Sequence, residues 1–314
     1  MKRGRLIIGV AVAVCVVGMT TTRAQEPQVP AATFKASVDL VRVTAVVRDS
    51  KGRFVQDLQV KDFEVLDRGE RRPISDFRRD VAGVSVALLF DVSGSMEGAL
   101  PHAREAATHV LSWLDPTRDE AAVFTFDTRL EEAAPFTAGL KGLPASLNTL
   151  TPFGATSLHD AIAETARRVG TREGRRRAVV VLTDGNDNAS RLAPAQVSAI
   201  ASGIDVPVYL FGIVPSIDNP LSEAATNSIA QSALGGPLAD LATWTGGHAF
   251  VASTPAQRSA AARQIVDELR HQYLIAFESS GNPGWHPLVV RARQKDLTVR
   301  ARSGYMAGQS SPSN

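Results

Sequence analysis

The sequence predicts an α/β fold: a doubly wound, mostly parallel sheet flanked by helices, with a small all-β module built from the N- and C-terminal flanks of the chain. Three observations carry the prediction. Between residues 84 and 270, short apolar runs alternate with stretches of helical periodicity, the rhythm of strand, crossover helix and parallel strand. Outside those limits the pattern changes on both sides to period-two runs split by turn residues such as DSKG, DRGE and GNPG, the signature of antiparallel strands. Neither flank has enough strands to bury a two-sided core by itself, so the two ends are expected to pair with each other, with the α/β unit inserted between them.

The first residues read as an export signal over 1–24. Lys2, Arg3 and Arg5 precede an apolar run from Leu6 to Met19, and small residues stand ahead of Gln25, which is the layout of a Sec leader. The run is short for a membrane span. A secreted or periplasmic protein is expected, held at the membrane only where the leader stays uncleaved. Cys15, the one cysteine, lies within the leader behind Val14, where a lipoprotein box needs a smaller residue. Disulfides are therefore excluded for the remainder, and stability must come from a packed core. The formal net charge is +2. Setting aside the leader's four cations leaves 30 basic against 32 acidic residues, a balance that excludes the field of a nucleic-acid binder. The Arg-rich TREGRRRA at 171–178 has no stacking aromatics beside it and reads as a solvated connection.

Residues 25–33 form a linker with two prolines, and 34–80 supply the N-terminal part of the β-module, in which no helix is read. In the α/β unit, VSVALLF is a continuous apolar run suited to a central strand covered on both faces. A helix at about 97–114 follows it. EAAVFTF is the next strand, and LEEAAPF an edge strand, where Pro135 is tolerated. A helical piece near 139–149, the loop TPFGAT and a helix from about 157 to 169 lead to the strand AVVVLTD. Then come a helix at 194–203, the strand PVYLFGI, a surface excursion from Val214 to Pro237, the helix LADLATWTG, the strand HAFVA and a helix at 254–270. The C-terminal part of the β-module, 271–305, holds three runs, YLIAFES, PLVVRARQ and LTVRARSGY, before a polar tail at 306–314. Trp113, Trp244 and Trp285 read as core or strand-packing residues.

Candidate chemistry sits at the strand ends. FDVSGSME crowds Asp91, Ser93 and Ser95 directly after the first parallel strand, Thr156 lies in GAT ahead of a helix, and Asp184 follows AVVVLT. Open parallel sheets bind ligands at the carboxyl ends of their strands, near a topological switch point. If the strands before Asp91 and Asp184 are neighbours, five oxygen donors share one rim. Mg²⁺ takes about six oxygens and is commonly held by one or two carboxylates with retained waters, a demand that two carboxylates and three hydroxyls meet. Helix capping by Ser93 and Ser95 competes with this reading but leaves Asp91, Thr156 and Asp184 without a role. Ser157, three residues ahead of Asp160, reads as a cap. Asp187 reads as a solvated loop acid and His159 as part of an exposed helix face. Nucleophilic catalysis has no GxSxG elbow around Ser93, and the six histidines show no paired zinc-type spacing.

These residues resemble the metal-ion-dependent adhesion site of von Willebrand factor type A domains: Asp-x-Ser-x-Ser at Asp91, Ser93 and Ser95, Thr156 in the middle loop, and Asp184 in TDG. The resemblance covers roughly 84–270. It implies that Ser93, Ser95 and Thr156 ligate a divalent cation, Mg²⁺ or else Mn²⁺ or Ca²⁺, with Asp91 and Asp184 acting directly or through water. The flanks, DFEVLDRGERRPISDF and ELRHQYLIAF with VRARSGY, are similar to an exported bacterial family known only as VWFA-related. The expected function is a non-enzymatic protein-binding or adhesion module whose cation engages an acidic side chain of a protein partner, with no part for nucleic acid. Two alternatives stand beside it: a metal-dependent periplasmic hydrolase with Asp187 or His159 as base, and a structural envelope protein.

Overall fold

The structure, a computed structural model, describes residues 40–79, 83–172, 174–203, 205–213 and 236–308. The expected leader at 1–24, the linker at 25–33, nearly all of the Val214 to Pro237 excursion, and 309–314 of the expected tail lie outside the described residues.

Twenty elements follow one another in the described chain: β1 (Leu40–Arg48), β2 (Phe63–Asp67), β3 (Glu70–Arg72), β4 (Ile74–Arg78), β5 (Val84–Asp91), α1 (Leu100–Trp113), β6 (Glu120–Phe126), β7 (Leu130–Ala138), α2 (Ser146–Thr149), α3 (Leu158–Gly170), β8 (Arg176–Thr183), α4 (Pro194–Gly203), β9 (Val208–Ile213), α5 (Pro237–Trp244), β10 (Ala249–Ala252), α6 (Pro255–Arg270), β11 (Gln272–Glu278), β12 (Gly284–Ala292), β13 (Thr298–Ala301) and β14 (Gly304–Ala307). The six-stranded sheet runs β10-β9-β8-β5-β6-β7. All its neighbouring pairs are parallel except β6 with β7, and β7 is the edge strand that carries Pro135.

Every residue of β5, β6 and β9 is buried, which explains why these strands read as unbroken apolar runs. Val86, Leu88 and Phe90 of β5 face a cluster with Ala103 and Val110 of α1 and Ile265 and Val266 of α6. Ala87 and Leu89 face the opposite cluster, with Ile162 of α3, Val197 of α4 and Leu241 of α5. Full burial of each such large side chain contributes on the order of 1.5–3 kcal/mol, so the two-sided core fixes the strand order. The chain leaves β5 toward β6 and β7, then crosses back to place β8 on the other side of β5. The switch point therefore falls between β5 and β8.

The flanks form two antiparallel sheets, β13-β1-β11-β4 and β14-β12-β2-β3. Each contains strands from both ends of the chain, as the expected pairing requires. Their common core includes Val43 and Val47 of β1, Phe63 and Val65 of β2, Ile275 and Phe277 of β11, Leu288 of β12 and Tyr305 of β14. A buried polar network crosses it. His286 Nδ1 lies 2.7 Å from Asp67 Oδ1 and Nε2 2.7 Å from the Asn282 carbonyl, while the Tyr305 hydroxyl donates to Asp67 Oδ2 at 3.1 Å. The sandwich is bolted to the α/β unit by Glu268 of α6, which is fully buried and pairs with Arg48 of β1 at 2.9 Å and with Arg300 of β13.

Several boundaries differ from the sequence reading. The helix expected at about 97–114 starts only at Leu100, because Gly94–Met96 forms a separate 3-10 turn. The helical piece near 139–149 shrinks to the single turn Ser146–Thr149. A 3-10 turn at Val60–Asp62 stands in the module where no helix is read. The run LTVRARSGY is two strands in different sheets: β13 pairs with β1, whereas β14 pairs with β12. The tail expected from 306 begins inside β14. Trp113, 36% exposed, is a surface residue whose ring the Arg263 guanidinium covers, whereas Trp285, 38% exposed, packs its ring against Gly304 of the paired strand β14, the strand-packing role the sequence suggests. Among the described residues, no helix is long and apolar enough to cross a membrane.

Candidate functional site

Asp91 is the last residue of β5 and is wholly buried. Its Oδ1 accepts the Ser93 backbone N–H at 3.0 Å and the Ser93 hydroxyl at 2.6 Å, and its Oδ2 accepts the Thr183 hydroxyl at 2.7 Å. Ser93 occupies the N-cap position of the Gly94–Met96 turn, yet its side chain makes no cap bond. The hydroxyl turns back to Asp91 and lies 3.2 Å from the Ser95 hydroxyl. Capping therefore does not account for Ser93. The donor set is graded in exposure: Asp91, Ser93 and Thr156 are buried, Asp184 is half-buried and Ser95 faces solvent.

Three loops are laced together around this cluster. β5 and β8 are adjacent and parallel, so Asp184, one residue past Thr183, stands at the same rim as Asp91. The Phe153 N–H donates to the Val92 carbonyl at 3.0 Å and the Gly94 N–H to the Gly154 carbonyl at 3.1 Å, tying the loop that carries Thr156 to the loop that carries Ser93 and Ser95. Gly154 turns through a φ of +87°, a region that side chains disfavour. The loop after β8 then grips Thr156 from the other side. Asn188 Oδ1 accepts the Thr156 N–H at 2.8 Å, and the Thr156 carbonyl accepts from the N–H groups of Asn188 and Ala189.

Sequence reasoning missed several supporting residues and misread others. Thr183 is the second partner of Asp91, and its only signal was its place just before the strand-end Asp184. Asn188 gave no signal of its own. Asp127, at the end of β6, accepts the Arg129 N–H at 2.8 Å, and its carboxylate would touch a Cβ at Gly154 at 3.7 Å. Ser157 sits at the N-cap of α3, but its side chain makes no cap bond. Asp187 does that work instead: its Oδ2 accepts the His159 backbone N–H at 2.9 Å and lies 2.7 Å from His159 Nδ1, while Oδ1 accepts the Ser190 N–H. Asp187 is thus a half-buried clamp between α3 and the β8 loop rather than a solvated acid. His159 faces inward as well, its Nε2 buried without a hydrogen-bond partner.

The electrostatics suit a cation. Burial pushes the Asp91 carboxyl up to about 6, the nearby Asp184 charge adds to the shift, and the Ser93 and Thr183 hydrogen bonds oppose it. Among the described residues, no Lys, Arg or His lies within ion-pair distance of Asp91 or Asp184. A buried carboxylate compensated only by two hydroxyls and one backbone N–H is costly to ionise; a divalent ion bound beside it would supply the missing countercharge. Among the described residues no three His, Cys, Asp or Glu side chains cluster as metal ligands. A site here would be of the hard, oxygen-donor kind, with hydroxyls completing two carboxylates. Asp91, Ser93, Ser95, Thr156 and Asp184 fit that kind and would hold the ion.

Fold and rim together define a doubly wound α/β domain with oxygen-bearing side chains gathered at the strand ends beside its switch point. Residues 86–186, which include all five candidate donors, match the family model of the von Willebrand factor type A domain. Among solved structures, the chain is similar to a von Willebrand factor type A protein from Catenulispora acidiphila at 14% identity, covering 87% of this chain and 76% of that one with a TM-score of 0.48. It is also similar to an aerotolerance-related membrane protein from Bacteroides fragilis at 20% identity, covering 60% of this chain and 98% of that one with a TM-score of 0.47. The conserved hypothetical protein BatB from Bacteroides thetaiotaomicron gives 19% identity, 60% and 98% coverage and a TM-score of 0.47. No curated protein matches the chain.

Proposed function

We propose that this protein is an exported, non-enzymatic interaction module that holds one divalent cation, Mg²⁺ or else Mn²⁺ or Ca²⁺, on Asp91, Ser93, Ser95, Thr156 and Asp184. An acidic side chain of a protein partner completes the ion's coordination. The observation that supports the reading most is the buried, cation-less Asp91 carboxylate hydrogen-bonded to Ser93 and Thr183, next to Ser95 and Asp184. With only two carboxylates in the set, a bound dication keeps residual attraction for one more anion, which gives the module its preference for an acidic ligand. The ion would act as a bridge, and neither candidate base is free beside it: Asp187 is occupied by His159 and Ser190, and His159 Nε2 is buried. Export rests on the leader-like residues 1–24.

The test is a pull-down from envelope and culture-medium extracts with the full chain, run in Mg²⁺, in EDTA and with the Ser93→Ala/Ser95→Ala variant. Capture in Mg²⁺ alone, lost in the variant while its circular dichroism is unchanged, is the expected result. Partner capture that survives both EDTA and the double substitution would refute the bridging role.

A further inference from the structure

We infer that Phe153 is the second contact of the partner surface, so that the site selects an acidic residue flanked by an aliphatic or aromatic one; this rests on the cation-bridging reading above. Phe153 is 81% exposed, while the other exposed large apolar side chains among the described residues reach at most 51%. A solitary exposed apolar residue is ordinary on a protein surface. What sets this one apart is how it is held and where. Its loop is tied to the Asp91–Ser95 loop by Phe153 N–H to Val92 O at 3.0 Å and by Gly94 N–H to Gly154 O at 3.1 Å. The backbone on either side of the ring is thus fixed to the segment that carries three of the candidate ligands, Asp91, Ser93 and Ser95.

The surroundings sharpen the argument. The exposed residues of these two loops besides Phe153 are Thr151, Gly154, Gly94, Ser95, Glu97 and Gly98, so Phe153 is the one large apolar side chain exposed among them. Gly94 and Gly154 also pack closely, a Cβ on Gly94 meeting the Gly154 carbonyl at 3.5 Å. Aromatic side chains fixed beside a polar anchor are the usual composition of an interface core, because the ring loses water only when a partner covers it. A carboxylate on the cation and an apolar neighbour on Phe153 would be read together, the first giving the anchor and the second the choice among acidic sequences.

The experiment uses the full chain on an immobilised peptide array in which each hexapeptide holds one Glu or Asp flanked by Leu, Phe or Ser, probed in Mg²⁺ and in EDTA. Wild type is expected to retain Leu- and Phe-flanked acids at least tenfold better than Ser-flanked ones, in Mg²⁺ only. Phe153→Ser should bring all three to the Ser-flanked level with calorimetric Mg²⁺ uptake unchanged, and Phe153→Leu should restore most of the preference. Mg²⁺-dependent capture with no flank preference, or a preference that persists in Phe153→Ser, overturns the role of Phe153 alone. Flank-dependent capture that is equal in EDTA overturns the cation reading and leaves the ring contact standing. No capture of any peptide overturns both, and Phe153-dependent self-association on size-exclusion chromatography would assign the ring to a second copy instead.

Discussion

Asp91 carries the most informative chemistry of any single residue. Its carboxyl is pushed from the ordinary 3.8 up to about 6 by burial. Between about pH 4 and 6 the folded chain therefore keeps a proton that the unfolded chain has released. The sign follows: in metal-free protein, stability from this group is highest below pH 4, falls as pH rises to 6 and is flat above. Asp91→Asn removes the charge while keeping an acceptor for Ser93. It should stabilise the metal-free protein at pH 7.5 by about 1–3 kcal/mol, each tenfold change in proton affinity being worth about 1.4 kcal/mol. Chemical denaturation at pH 4.5 and 7.5 checks this, and equal effects at both would contradict it. An ion held as proposed would compete with protons for the same oxygen, so apparent Mg²⁺ affinity of the wild type should drop as pH falls below about 6.

At the scale of elements, the rim is set by loops that hold one another. Asn188 contributes no ligand, but its side chain and backbone fix Thr156. Asn188→Ala should weaken Mg²⁺ uptake by about tenfold, the ~1–2 kcal/mol of one buried backbone donor left unpaired, with the circular-dichroism spectrum unchanged. Calorimetry on the variant decides it; unaltered affinity would show that Thr156 needs no such support. This division also explains what the sequence could reveal. The five candidate donors could be nominated from the sequence because they stand at element boundaries: Asp91, Ser93 and Ser95 in DVSGS at the end of β5, Asp184 in TDG at the end of β8, and Thr156 in GAT just ahead of α3. Thr183, Asn188 and the His159–Asp187 clamp could not, since their meaning lies in hydrogen bonds across 28 to 92 residues of chain. The succession of strands and helices along the chain was legible from rhythm, whereas their order in the sheet and the break within LTVRARSGY were not. Period two persists through it while the chain changes sheets at Arg302 and Ser303, where the Ser303 N–H bonds to Trp244 O and Ser303 O accepts from Leu288 N–H. Gly304 then has to be glycine because a Cβ there would meet the Trp285 ring at 2.2 Å.

In the whole molecule, the α/β unit and the sandwich are joined through α6, whose apolar face packs into the core under the central sheet and whose Glu268 reaches Arg48 and Arg300. Because both chain ends share one core, the α/β unit and the sandwich should melt in one calorimetric transition. Glu268→Ala leaves two partly buried guanidiniums without their carboxylate and should cost about 1–3 kcal/mol, still in one transition; two separated transitions in the wild type would contradict the coupling. The central claim is that β5, the loop ahead of α3 and the end of β8 bring five oxygens to one hard ion. Titration of Mg²⁺ into apo protein by calorimetry, beside the Ser93→Ala/Ser95→Ala variant, tests it most directly. The account predicts one ion per wild-type chain and none for the variant; no uptake by the wild type, or equal uptake by both, would contradict it.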